Sequence, residues 1–252
     1  MHNLYTITFS PTGTSQLAAD RIAEAFETKP VPVDLCQEVS GEIQIEPDNV
    51  CIFSVPCYGG RIPETAVERF SHIRGNGAAA IVCVTYGNRA YEDALLELAD
   101  CAKTAGCRVI AGCAAVGEHN IMHIYGTGRP DASDLDELHQ FAVRAARKID
   151  AGLTEEPVLP GNRPYKERHV STMKILTDEN TCKSCGLCAA KCPVKAISDD
   201  GRHVDETLCI NCMRCIKICP EKCRKIPEEL VSGLIQRVGK ACEGRKANEF
   251  YL

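Results

Sequence analysis

Residues 181–193, TCKSCGLCAAKCP, recur 27 positions later as residues 208–220, LCINCMRCIKICP. Both stretches read CxxCxxCxxxCP, so four cysteines and a proline keep the same spacing in each copy. Three thiolates spaced by three residues can wrap one cubane of iron and sulfide, and the fourth thiolate lies just beyond that loop. The repeat therefore predicts a compact domain built around two inorganic clusters.

In this motif the fourth cysteine of each copy ligates the neighbouring cluster. The predicted ligands are Cys182, Cys185, Cys188 and Cys219 for one [4Fe–4S] cluster, and Cys209, Cys212, Cys215 and Cys192 for the other. Disulfides would need an oxidising compartment, and structural zinc usually pairs two CxxC units across a longer spacer. We therefore favour two iron–sulfur clusters over disulfides or zinc.

The rest of the chain has a different composition, which indicates a second domain. Of 252 residues, the first 160 hold seven of the 17 cysteines and carry a net charge of −10, whereas the remainder carries +5. Bound clusters would offset much of that positive charge, so nucleic-acid binding is not favoured. No stretch approaches the roughly 18 apolar residues of a membrane span, and no secretory signal is evident. We expect a cytoplasmic protein.

The first 150 residues alternate short apolar stretches with helical patterns. Strands are predicted at Leu4–Phe9, Val31–Leu35, Val50–Val55, Ala79–Thr85 and Arg108–Val116. Helices are predicted at Ser15–Phe26, Glu64–His72, Tyr91–Ala105 and Ser133–Ile149. This alternation predicts an α/β fold with a doubly wound, five-stranded parallel sheet, whose ligands bind beyond the carboxyl ends of the strands.

Three loops at that edge of the sheet carry the candidate binding residues. The first, SPTGTS at residues 10–15, enters a helix N-terminus, where backbone N–H groups and the helix dipole favour a phosphate. It lacks the glycine and lysine patterns of NAD and ATP sites. The others, PCYGGRIP at 56–63 and TYGNRAYED at 85–93, offer tyrosines and glycines that suit a planar ring.

In this order, the three loops resemble the phosphate loop and the two isoalloxazine loops of flavodoxin-like FMN proteins. The cysteine repeat resembles bacterial two-cluster ferredoxins, so the whole chain is similar to fused flavodoxin and two-cluster ferredoxin proteins. The resemblance implies FMN as a cofactor, with its phosphate on Ser10, Thr12, Gly13, Thr14 and Ser15. Its ring would lie between Pro56, Cys57, Tyr58, Gly59 and Gly60 on one side and Thr85, Tyr86, Gly87, Asn88 and Tyr91 on the other.

Four segments follow from these patterns. They are a flavodoxin-like FMN-binding domain at 1–150, a linker at 151–174, a smaller α+β two-cluster ferredoxin-like domain at 175–226 and a helical tail at 227–252. The linker is rich in proline and mixed charge, and the tail has apolar residues at helical spacing. Cys223 aligns with Ala196 in the repeat, which indicates a small buried residue.

The combination of cofactors predicts an electron-transfer flavoprotein that passes single electrons between the clusters and FMN and exchanges them with a redox partner protein. The alternative is an FMN-dependent reductase of a quinone or enoate, fed by the clusters. Glu118, His119 and His123 follow the fifth strand and could relay protons to the flavin. No catalytic residue independent of the flavin is evident. The resemblance implies anaerobic metabolism, and a homodimer is left open.

Overall fold

The structure, a computed structural model, describes residues 3–168 and 173–252. Residues 1–2 of the predicted first domain and 169–172 of the predicted linker lie outside the described residues. In the part that is described, no helix is long and apolar enough to cross a membrane.

The first domain is built on five parallel strands that match the predicted ones to within one residue at each end. These are β1 (Leu4–Thr8), β2 (Val31–Asp34), β4 (Val50–Pro56), β6 (Ala79–Tyr86) and β7 (Arg108–Val116). Two further short strands, β3 (Ile43–Gln44) and β5 (Ile73–Arg74), pair with each other outside this sheet. The parallel strands lie in the order β2-β1-β4-β6-β7, which is the flavodoxin-like order.

The inner strands β4, β6 and β7 are buried on both faces, whereas the edge strand β2 is largely exposed. Every residue of β6 is buried, as expected for a central strand covered by helices on both sides. One face packs against α2 (Glu64–Phe70) and α3 (Ala94–Thr104), and the other packs against α1 (Thr14–Ala23) and α4 (Ala132–Asp150). The doubly wound α/β fold is confirmed.

Three of these helices are shorter than their apolar pattern predicts, among them α2, which ends at Phe70 rather than His72. Helix α1 ends at Ala23 rather than Phe26, because the amides of Ala25 and Phe26 bond to carbonyls three residues back and tighten the chain into a turn. Helix α3 begins at Ala94 rather than Tyr91, because Glu92 has a φ of 45°, which no helix accommodates. Local backbone geometry, rather than apolar spacing, sets these ends.

A sixth strand joins the sheet from the far end of the chain. Strand β10 (Glu249–Tyr251) pairs antiparallel with β7, so the sheet has five parallel strands and one antiparallel edge strand. The predicted helical tail contains α7 (Glu228–Val238) and a short 3₁₀ turn, Gly239–Cys242, before this strand. The prediction of helix is therefore incomplete for residues 249–251, where a three-residue strand is too short to leave an alternating pattern.

The second domain repeats its backbone as well as its sequence. Its elements are β8 (Leu176–Thr177), α5 (Leu187–Ala190), α6 (Arg214–Lys217) and β9 (Arg224–Lys225). Three pairs of positions 27 residues apart share a left-handed φ: Ser184 with Asn211 at 50° and 51°, Gly186 with Met213 at 71° and 62°, and Lys195 with Lys222 at 52° each. Five of these six residues are not glycine, so the fold imposes this backbone at a cost in free energy.

The described part of the predicted linker lies against helix α3. The Asp93 carboxylate accepts hydrogen bonds from the backbone N–H groups of Asn162, at 2.8 Å, and Lys166, at 2.7 Å. The Arg163 guanidinium pairs with Asp100, and the Arg168 guanidinium pairs with Glu97. Residues 151–168 thus run along the first domain without regular secondary structure. The boundaries of the four segments stay a prediction.

Candidate cofactor sites

Four cysteines from the two repeats line one cavity of the second domain. The cavity is lined by Cys182, Cys185 and Cys188 of the first repeat and by Cys219 of the second. This is the set that crossed ligation assigns to one cluster. Cys185 is exposed, and Gly201 packs so closely that an added Cβ would lie 3.0 Å from the Cys188 sulfur. We call this space the outer cysteine cavity.

A second cavity collects the other four cysteines. Cys209, Cys212 and Cys215 of the second repeat line it together with Cys192 of the first. Cys212 and Cys215 are each only 8% exposed, so this site is more enclosed than the first. Apolar side chains complete its wall, among them Ile175, Val194, Ile197, Val204 and Ile210. We call this space the inner cysteine cavity.

The donors around each cavity fit an iron–sulfur cluster. Among the described residues, no three His, Cys, Asp or Glu side chains converge closely enough to hold a single metal ion. The four thiols instead surround a space, which is the arrangement that a cubane of several atoms requires. Backbone N–H groups also approach the sulfurs: Ser184 N lies 3.4 Å from Cys182 Sγ, and Ala196 N lies 3.3 Å from Cys192 Sγ. Such N–H donors stabilise thiolate ligands.

Two residues beside the outer cavity were not among the predicted ligands. The Cys223 sulfur lies 3.4 Å from that of Cys219, and its side chain is 6% exposed, in agreement with a small buried residue. Next to it, Arg224 is only 3% exposed, and Cys223 and Arg224 both line the cavity. The sequence does distinguish this arginine. The equivalent position of the first repeat, 27 residues earlier, is the apolar Ile197.

The predicted phosphate loop connects β1 to α1 as expected. Helix α1 starts after Gly13, which has a φ of 98° and provides no side-chain cap, so N–H groups at this end point outward. The Ser10 hydroxyl accepts a bond from the amide of Gln16 at 2.8 Å. The Ser15 hydroxyl is buried and lies 2.6 Å from that of Thr85. Backbone amides and the half-buried Thr12 and Thr14 are therefore the groups best placed for a phosphate.

The second predicted loop folds back on the third. After Pro56, which ends β4, the amide of Cys57 donates to the Thr85 carbonyl at 2.8 Å. The Cys57 thiol faces the carbonyls of residues 90 and 91, and burial raises the pKa of this thiol to about 12. Gly59 and Gly60 have φ values of 62° and 93°, which glycine adopts without strain. Cys57 is therefore a packed thiol rather than a reactive thiolate.

The third predicted loop is held by the C-terminal segment. The Asn88 amide nitrogen donates to the carbonyls of Cys242, at 2.6 Å, and Gly244, at 2.7 Å. The Tyr86 hydroxyl donates to the Ala247 carbonyl, and that of Tyr91 donates to the Glu249 carboxylate. Both tyrosine rings are buried, 5.3 Å apart. The structure therefore gives Tyr86, Asn88 and Tyr91 partners in residues 242–249.

Gly87 lies where this loop meets the loop after β7. An added Cβ would come within 2.9 Å of the Cα and ring of His119. We expect Gly87→Ala to lower the free energy of unfolding by about 1–3 kcal/mol, because the crowded loops must separate. Gly233→Ala, in α7 and with no atom near its Cβ, is expected to raise it by about 0.5–1 kcal/mol. Anaerobic urea unfolding checks both variants. An unfolding midpoint of Gly87→Ala equal to that of the wild type would contradict the tight packing at Gly87.

Among the predicted proton-relay residues, the half-buried His119 has a well-defined set of partners. Its Nδ1 accepts the backbone N–H groups of Ile121 and Met122, at 3.2 and 3.1 Å. Burial, followed by the positive charges of His123 and Arg89, lowers the pKa of His119 to about 4. The ring is therefore neutral at physiological pH and carries its proton on Nε2. The Nδ1 atom of His123 lies 2.7 Å from a Glu118 carboxylate oxygen near the surface.

We expect the His119 ring to stay unprotonated as the pH falls from 8 to 5. The unfolded chain takes up this proton near the ordinary histidine pKa, about 6.5. Stability should therefore decrease as the pH falls from there towards 4. Histidine NMR signals, assigned with His119→Asn, measure the midpoint, and a midpoint near 6.5 would contradict the buried geometry.

The inner cysteine cavity faces the first domain. Ile210, between Cys209 and Cys212, packs against the core of the first domain, and the Arg69 guanidinium donates to the Pro193 carbonyl at 2.5 Å. Burial, followed by the charges of Cys212 and Cys36, raises the pKa of Tyr58 well above its ordinary value. Tyr58 of the second predicted flavin loop thus lies close to a cysteine of the inner cavity.

Comparison with known proteins gives one family match and several structural similarities. Residues 174–220 match the family model of the 4Fe-4S dicluster domain. No curated protein matches the chain. Solved structures with some similarity include rubredoxin oxygen:oxidoreductase from the anaerobe Desulfovibrio gigas, with 14% identity and a TM-score of 0.45 over 62% of this chain. The match spans 38% of that protein's length.

Two flavodoxins are also similar in structure. One, from the domain Archaea, has 13% identity and a TM-score of 0.40 over 59% of this chain and 99% of its own. The other, from Streptococcus pneumonia TIGR4, has 20% identity and a TM-score of 0.40 over 57% of this chain and 99% of its own. From the strand order and the family match, the chain joins a domain of flavodoxin-like fold to a 4Fe-4S dicluster domain.

Proposed function

We propose that this protein transfers electrons singly between two [4Fe–4S] clusters and one FMN held in the same chain, and exchanges them with a redox partner protein. When bound, FMN accepts one or two electrons and each cluster carries one. The observation that carries the proposal is the position of the inner cysteine cavity against the first domain, where Ile210 packs on its core and Arg69 donates to the Pro193 carbonyl. We expect this function in the cytoplasm.

Each cofactor would be held by residues that the fold already brings together. The outer cavity supplies Cys182, Cys185, Cys188 and Cys219, and the inner cavity supplies Cys209, Cys212, Cys215 and Cys192. The phosphate of FMN would bind the N–H groups at the start of α1, with Thr12 and Thr14 beside them. Its ring would lie along Tyr58, Gly59 and Gly87, at the carboxyl edge of β4 and β6.

The different exposure of the two cavities supports an order of transfer. Cys185 of the outer cavity is exposed, so a cluster there would be accessible to a docked partner. Cys212 and Cys215 of the inner cavity are buried, and Ile210 beside them packs against the first domain, so a cluster there would be shielded from solvent. Electrons would thus pass between the partner and the flavin through the outer cluster and then the inner one.

Anaerobic reconstitution followed by rapid mixing tests the proposal. The purified protein should bind about eight irons, about eight sulfides and one FMN per chain. Mixing it with a reduced ferredoxin should bleach the cluster absorption before the flavin absorption. Zinc in place of iron would overturn the cluster assignment. Rapid turnover of a quinone or enoate with a chemical reductant and no partner protein would instead favour the reductase.

A further inference from the structure

Arg224 is a buried cation between the two cysteine cavities. It lies on β9, paired with Thr177 of β8, and its side chain is 3% exposed. The next residue, Lys225, is exposed on the same short strand. Lysine and arginine are seldom buried without a partner of opposite charge. The groups that its guanidinium contacts are a thiol and a backbone carbonyl rather than a carboxylate.

The guanidinium contacts a predicted ligand of each cluster. Its Nη1 donates to the Cys188 sulfur of the outer cavity at 3.3 Å and to the Gly201 carbonyl at 2.8 Å. Cys215 of the inner cavity is the second thiol close enough to interact with the charge of the guanidinium. One side chain therefore bridges the two sites.

Part of this guanidinium has no partner in the protein. Arg224 Nε and Nη2 are buried and make no hydrogen bond within the described residues. Unsatisfied buried donors are costly, and those of a charged group more so. Thiolate ligands and bridging sulfides are acceptors of negative charge, and clusters in the two cavities would present both to this side chain. The unpartnered N–H groups thus point to the clusters themselves.

We propose that Arg224 is a shared electrostatic partner of the two clusters, and that its buried positive charge raises the reduction potential of both. The proposal rests on the presence of the two clusters in the proposed function. Reduction adds negative charge to a cluster, and a nearby cation stabilises the reduced form. In a partly buried site, loss of this charge is expected to change each reduction equilibrium by about tenfold or more, which is about 59 mV for one electron.

Redox titrations followed by electron paramagnetic resonance test this role. The samples are the reconstituted wild-type protein and the variants Arg224→Met, Arg224→Gln and Arg224→Lys. Lys225→Met is the matched control, since it removes the same charge from the same strand at an exposed position. We expect both neutral Arg224 variants to shift both midpoint potentials to more negative values, well beyond the control. Arg224→Lys should retain most of the wild-type potentials.

Each outcome decides the proposal. Fully loaded neutral variants with potentials equal to those of Lys225→Met, or a shift in one cluster alone, would overturn it. If the neutral variants lose iron while Arg224→Lys keeps both clusters, the need for a cation there is supported. Loss of iron in all three Arg224 variants would make the residue structural and overturn the tuning role. A wild-type protein that binds no clusters would reject the proposed function, and this inference with it.

Discussion

Cys212→Ala is expected to abolish electron transfer to the flavin while FMN binding is retained. Cys212 is a predicted ligand in the inner cavity, it is buried, and it is the cysteine near Tyr58. Losing it should remove one cluster, so the iron content falls from about eight to about four per chain. The flavin then loses its nearest electron donor. Stopped-flow mixing with a reduced ferredoxin measures this as the loss of the flavin-bleaching phase.

The control for this variant is Cys101→Ala. Cys101 is a half-buried cysteine of α3 that packs against the core of the first domain. Its replacement removes a thiol without touching either cavity, so iron content and flavin reduction should match the wild type. Unchanged flavin reduction in a Cys212→Ala protein that has lost the inner cluster would contradict the proposed route.

Thr12→Glu is expected to weaken FMN binding by about 100-fold or more, because its carboxylate would lie beside the phosphate dianion. Thr12 is half-buried in the loop before Gly13 and α1. The amides at this end of the helix provide a weak positive field, which one added negative charge is enough to cancel. Titration of the flavin-free protein with FMN, followed by flavin fluorescence, gives the dissociation constant.

Thr12→Gln is the matched control, since it has the size of glutamate without its charge. We expect a much smaller loss of affinity for this variant. An equal loss in Thr12→Glu and Thr12→Gln would show that the size of the side chain, rather than its charge, weakens FMN binding. Cluster content should be the same in the two proteins, because the cysteine cavities lie in the other domain. Wild-type affinity in Thr12→Glu would place the phosphate elsewhere.

Much of the first domain could be predicted from local sequence. Buried parallel strands are apolar on both faces, so β6 and its neighbours could be located to within a residue. The alternation of strands and helices then limits the topology to few solutions, of which the doubly wound sheet is one. The predicted helix ends were less accurate. Glu92, for example, has a positive φ, which the spacing of apolar residues does not indicate.

The cysteine repeat determined, by itself, which thiols could share a cluster. Spacing fixes the reach of a short loop, and the grouping of cysteines in the two cavities agrees with the sets deduced from it. Only the tertiary structure placed the inner cavity against the first domain, joined β10 to β7 and buried Arg224 beside the cysteines. These contacts join residues far apart in the chain, and their geometry depends on how two domains pack, which no local pattern encodes.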